Sequence, residues 1–215
     1  MTPTPPSTEP LDDADDDADD DSPWIIASCP VSAELAAQIV GMAEVDWVDP
    51  EVAEHAMLAA GWRSTGSHLG EFGETGYTPA GHLVYGEDCF SMPFAYQYWV
   101  HPEGAVSEDH WGVQPGWHSL VDPPVGGFTA QLDAVVGTFT ALLGPPDHDV
   151  SHPRRPGSDY LWRYRAWRRG DRVLAVAPGL DGFSYAQFEH LVVQIRSLPA
   201  GSPFPPAAEL PDFFR

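Results

Sequence analysis

Two neighbouring stretches constrain the fold more than any others, because they carry different periods. Between residues 127 and 143 the apolar side chains Phe128, Leu132, Val135, Val136, Phe139, Leu142 and Leu143 recur three and four apart, the spacing of one helix face. Gly144-Pro145-Pro146 stops that pattern. From residue 160 to 168 the period becomes two. Trp162, Tyr164 and Ala166 fall on one side, with Arg163, Arg165 and Trp167 on the other. Arg169-Gly170-Asp171-Arg172 supplies a tight turn and residues 173–177 return as a second strand. A helix and a hairpin of this kind in one chain predict an α+β fold. The expected arrangement is an antiparallel sheet covered on one face by helices. The long apolar stripe of residues 128–143 is expected to cover the Trp162, Tyr164 and Ala166 side, leaving Arg163 and Arg165 at the surface. Residues 191–195 are expected to extend the hairpin into a C-terminal β-meander, although 185–195 can also be written as a helix.

Earlier in the chain, helix signals come twice in succession. Ser32 is a good N-cap for a helix over residues 32–43, with Leu35, Ile39 and Val40 on one face and Glu34 in the first turn. Asp49 caps a second helix, Pro50 occupies its first position and Gly61 ends it. These two helices form a helical hairpin with Trp47 and Trp62 near its ends. From residue 63 to 120 glycine and aromatic residues dominate, and strands are expected at 68–72, 82–85, 96–101 and 111–114. The Pro-rich stretch 199–215 ends in Phe213-Phe214, which predicts a tail that docks on the body.

Charge divides the chain further. There are 32 acidic and 10 basic residues, and every basic residue is an arginine. Residues 1–22 hold nine acids and no base, so they are expected to be a disordered acidic tail ahead of a single domain over 23–198. The body remains strongly acidic without the tail. A phosphate backbone or an anionic membrane surface requires a cationic face, so neither nucleic acid nor membrane is the expected partner. The only basic stretch is 154–172, with seven arginines. No secretory signal or span-length apolar run is present. Cys29 and Cys89 are single and far apart, as expected for reduced thiols, and a cytoplasmic location is expected.

No arrangement in the sequence has the spacing of a catalytic motif. The tightest cluster of metal-ligand types is His148, Asp149 and His152, but it sits between prolines rather than on a helix, and no cofactor is expected. Neither Thr65-Gly66-Ser67-His68 nor Pro156-Gly157-Ser158-Asp159 completes a nucleophile elbow. A Cys–His pair could form only through the fold. The expected partner-contacting residues are therefore Arg163 and Arg165 on the hairpin and the aromatic residues Trp99, Trp111 and Trp117.

The order of short motifs resembles small high-GC bacterial families that accompany polymorphic toxins and are treated as immunity-protein-like. The motifs are Ala60-Gly61-Trp62 after the helical hairpin, Leu143-Gly144-Pro145-Pro146 after the long helix, and Trp167-Arg168-Arg169-Gly170-Asp171-Arg172-Val173-Leu174 at the hairpin turn. The resemblance spans roughly residues 32–197. It implies an α+β fold and a non-catalytic, protein-binding role, with a basic toxin domain as partner, and it carries no catalytic residues. The alternatives are a metal- or carboxylate-dependent hydrolase, using His148 and His152 or an aromatic cleft, and a secretion-chaperone-like homodimer.

Overall fold

The computed structural model describes residues 24–65, 75–86, 89–99, 111–112, 114–154, 158, 160–180 and 188–214. The acidic tail and the strand expected at 68–72 lie outside the described residues. The chain opens with strand β1 (Trp24–Ser28), followed by α1 (Ala33–Met42) and α2 (Pro50–Ala59). The caps read from the sequence are in place. Ser32 Oγ accepts from the Leu35 N–H at 3.1 Å, and Asp49 Oδ1 accepts from Glu51 and Val52 at 3.0 and 3.3 Å. Gly61 leaves α2 with φ at 76°, a conformation that costs glycine little.

Three two-residue strands, β2 (Arg63–Ser64), β3 (Gly76–Tyr77) and β4 (Leu83–Val84), form a small antiparallel sheet. The main sheet adds β5 (Phe90–Trp99), β6 (His118–Val121), β7 (His148–Pro153), β8 (Leu161–Arg169), β9 (Arg172–Leu180) and β10 (Glu189–Ser197). Its seven strands lie in the order β6-β1-β5-β10-β9-β8-β7, all antiparallel. Residues 189–195 are therefore strand and not helix. The β8–β9 hairpin turns on Gly170 and Asp171, with Gly170 at φ 61°. β5 is a central strand that contains a proline. Its register against β10 slips beside Pro93, so the missing N–H falls at a bulge.

Helix α3 (Gly127–Leu143) and the α1–α2 hairpin share one face of this sheet. They bury a single cluster in which Ile39, Met57 and Phe139 from the helices meet Met92, Phe94, Trp167, Leu174 and Val193 from the strands. The expectation for the β8 side chains is reversed. It is Trp167, not Trp162, that packs under α3, with its ring 5.9 Å from Phe139 and its indole N–H donating to the Gly144 carbonyl at 2.9 Å. Trp162, Tyr164 and Ala166 lie on the opposite face, which the C-terminal segment covers with Leu198, Leu210 and Phe214. That segment includes one 3-10 turn (Ala207–Glu209) and the short helix α4 (Leu210–Phe213). Alternation alone could not decide between the faces, because both are buried.

Two further expectations differ from the structure. Residues 111 and 112 lie in a turn, with the Gln114 N–H donating to the Trp111 carbonyl at 3.0 Å, and not in a strand. Residues 148–153, which the flanking prolines mark as loop in the sequence, are the edge strand β7, where half-buried His148, Val150 and His152 alternate with exposed Asp149 and Ser151. Among the described residues, no helix is long and apolar enough to cross a membrane.

Candidate interaction surface

Strand β7 separates the residues of the sequence-level metal cluster. His148 and His152 pair in register with Ala166 and Trp162, on the side of the C-terminal segment, whereas Asp149 pairs with Arg165 on the helix side. Successive strand residues point to opposite faces, so the two imidazoles and the carboxylate cannot converge. His148 stacks on Phe204 at 4.6 Å, and burial holds its pKa below the usual imidazole value against the pull of Asp149. Among the described residues no three His, Cys, Asp or Glu side chains are grouped to hold a metal ion.

The arginines are not a free patch either. Arg165 is 3% exposed and its Nε lies 2.9 Å from Asp149 Oδ1. Arg163 leans toward Asp133 of α3 at 3.7 Å, with both side chains about half in solvent. Arg165 is thus a structural ion-pair partner, and of the two only Arg163 reaches solvent. The tryptophans are corrected in the same sense. Trp111 and Trp117 are 7% and 3% exposed and belong to a third cluster with Ile25, Ala27, Tyr96 and Tyr98. Trp111 stacks on Tyr96 at 4.0 Å with an interplanar angle of 8°. Trp99 ends β5 opposite Trp24, and its side chain lies outside the described part of the structure.

The fold does bring a cysteine and a histidine together. Cys29 Sγ lies 3.6 Å from His82 Nδ1, and Thr78 Oγ1 lies 3.0 Å from the same nitrogen. His82 Nε2 is 3.0 Å from the Cys29 carbonyl, which accepts its proton and leaves Nδ1 as the acceptor. His82 is fully buried; burial lowers its pKa to about 4 and raises that of Cys29 to about 12. A neutral thiol beside a neutral imidazole without solvent access is neither nucleophile nor base. The pair pins the 78–82 loop beneath β1. Gly81 and Gly116 secure the adjoining loop crossing, since a Cβ on either would run into the backbone of Pro115 or Ala80.

Glu189 is the only buried carboxylate among the described residues. Its Oε1 lies 2.6 Å from Arg154 Nε, and Tyr160 stands close enough that burial and the carboxylate together push the phenol up to about 12. Burial raises the Glu189 pKa, opposed chiefly by the charge of Arg154. This is the arrangement of a paired structural carboxylate; among the described residues no second buried carboxylate joins it.

The surface with the most distinctive chemistry is the turn joining α1 to α2. Trp47 is 1% exposed and donates its indole N–H to the Met42 carbonyl at 3.1 Å, which anchors the turn from below. Its neighbours point outward. Glu44, Asp46, Asp49 and Glu51 are exposed, and Val48 and Val52 stand among them at 68% and 43% exposure. Asp46 and Asp49 are not loose charges: Asp46 Oδ1 accepts from the Val48 N–H at 3.2 Å, and Asp49 is the α2 cap. The next exposed turn of α2 carries His55 and Leu58. Residues 32–62 contain six acids and no arginine or lysine. Arg172 Nη2 lies 4.0 Å from Asp46 Oδ1. Sequence reasoning passed over this surface because each acid there has a local explanation as a cap or a first-turn charge. The absence of any compensating base across thirty residues was the available signal. Compared with protein-family models, with characterised proteins and with solved structures, the chain matches none of them.

Proposed function

We propose that this protein is a non-catalytic binding protein that presents the α1–α2 turn to a basic protein domain, in the manner of an immunity protein holding a cationic toxin. The observation that carries this reading is the rigid acidic platform of Glu44, Asp46, Asp49 and Glu51 around exposed Val48 and Val52, fixed by buried Trp47. Carboxylates already held by backbone N–H groups lose little further freedom on binding. Apolar residues set among like charges offer a partner contact area as well as steering. The overall charge of −22 extends the attraction beyond the contact itself.

The hydrolase reading has less support. The described Cys–His pair is sealed and neutral, and the β7 histidines face away from Asp149.

The test is a binding titration against a basic domain encoded beside this gene, with the full chain and with a Glu44→Lys, Glu51→Lys variant. Neither position is buried, so the fold should survive. The expected result is an association rate that falls steeply with added salt and a weaker complex for the double variant. Binding that is equally tight for the variant, or no binding to any basic domain, would overturn the proposal.

A further inference from the structure

The sheet has two outer strands, and among the described residues only one of them is covered. β7 ends in Pro153 and packs against the 3-10 turn at 207–209. β6 has no such cover among the described residues. It carries no proline, lysine or arginine, and Leu120 and Val121 are 53% and 56% exposed. Natural sheets normally blunt an open edge with charge, proline, a covering element or a very short strand, and of these β6 has only its four-residue length.

The hydrogen-bond phase of β6 defines what its edge can accept. The Asp122 N–H donates to the Trp24 carbonyl at 2.8 Å, and the register pairs Ile25 with Val121 and Ile26 with Leu120. Antiparallel ladders alternate, so residues 118, 120 and 122 direct their backbone groups toward β1. Ser119 and Val121 therefore direct theirs outward, away from the sheet.

We infer that β6 pairs with β6 of a second copy of this chain, about a two-fold axis through Leu120. This register places Ser119 opposite Val121 of the other copy, twice, so both outward N–H groups and both outward carbonyls of each chain are used. A two-fold at Ser119 instead would call on the Trp117 N–H, which already donates to Gln114 at 3.1 Å. A two-fold at Val121 would call on Pro123, which has no N–H. In the favoured register Leu120 meets its symmetry mate on the axis. The strand ends there, because Asp122 turns out of it with φ at 49°. A strand that complements itself in backbone phase and apolar contact is the requirement of an isologous interface.

The seam is short, and smaller than the roughly 800 Å² per partner of a standard stable interface. The dimer is accordingly weak and concentration-dependent. Its salt response is opposite to that of the proposed basic-domain complex. Two chains of charge −22 repel one another, so screening strengthens the dimer while it weakens a complex with a cationic partner. The two readings can therefore fail separately.

Sedimentation equilibrium of the full chain at low and high salt tests the inference. A monomer–dimer equilibrium shifted toward dimer at high salt is expected. Val121→Pro removes an outward N–H without touching the ladder to β1, a position where an edge strand tolerates proline. It should raise the dissociation constant by about tenfold or more through loss of two of the four seam hydrogen bonds. Leu120→Glu provides a second variant at an exposed position, placing two carboxylates on the axis, and should leave only monomer. A wild-type chain that stays monomeric at both salt concentrations, or a dimer that persists unchanged in Leu120→Glu, overturns the inference. So does an edge that is occupied only when an unrelated extended peptide is supplied.

Discussion

The two faces of the seven-stranded sheet are buried by different means. On one face three helices satisfy their own backbone hydrogen bonds internally and bring only side chains to the interface, and the result is one continuous apolar cluster. On the other face the cover is irregular chain: the C-terminal segment at one end and the loops around Trp111, Trp117 and His82 at the other. Irregular chain brings unpaired carbonyls with it, and side chains must answer them. Arg168 donates to the carbonyls of Leu198, Pro199 and Ser202 and lies 5.0 Å over the Phe204 ring. Trp117 donates to the Gly81 carbonyl at 3.0 Å, and His82 answers Cys29. The polar residues on this face are thus fixtures for a non-helical layer. Of the hairpin arginines Arg168 serves this layer, whereas Arg163, Arg165 and Arg172 reach acids on the helix side.

The largest expected effect separates the two covers directly. Trp167→Ala should cost about 3–5 kcal/mol in urea melts, because it opens a cavity beneath α3 and strips the Gly144 carbonyl of its donor. Phe214→Ala also removes a buried ring, but from a terminal segment that can undock locally, so it should cost clearly less. Equal losses would mean that the C-terminal segment is integral to the fold rather than a docked layer.

Acid should weaken the loop-covered face next. The unfolded chain protonates His82 below about pH 6.5, whereas the folded chain does so only near pH 4. Between these values unfolding takes up a proton. This contribution is therefore present above about pH 6.5 and is lost as pH falls toward 4, in total on the order of 3 kcal/mol. Melts across this range should show the slope in the wild type and a shallower one in His82→Gln, whatever that variant's starting stability. An unchanged slope would place the acid sensitivity elsewhere.

The smallest effects distinguish two arginines on one strand. Arg168→Ala should cost about 1.5–3 kcal/mol, the range for hydrogen bonds made by a charged group. It should also raise amide exchange in residues 199–214 while leaving α3 protected. Arg163→Ala breaks only a long, half-exposed pair with Asp133, and should change stability by less than about 1 kcal/mol. A costly Arg163→Ala would show that α3 is held to β8 by charge as well as by packing.

Periodicity and capping in the sequence determined α1, α2 and α3, the β8–β9 hairpin and the α+β class, because each depends on residues within a few positions of one another. Ser32, Asp49, Gly61, Gly144 and Gly170 act through their own backbone conformation or through N–H groups two or three residues away. The tertiary structure alone decided which face of β8 meets the helix. Both faces alternate into apolar surroundings, and a period of two names two sets without saying which is covered by what. It also decided that Arg165, Trp111 and Trp117 are buried, that β7 divides His148 and His152 from Asp149, and that Cys29 meets His82 across 53 positions. Burial and the pKa shifts that follow from it are properties of what lies on top of a residue. For these residues that cover comes from segments far away in the chain, where local spacing carries no information.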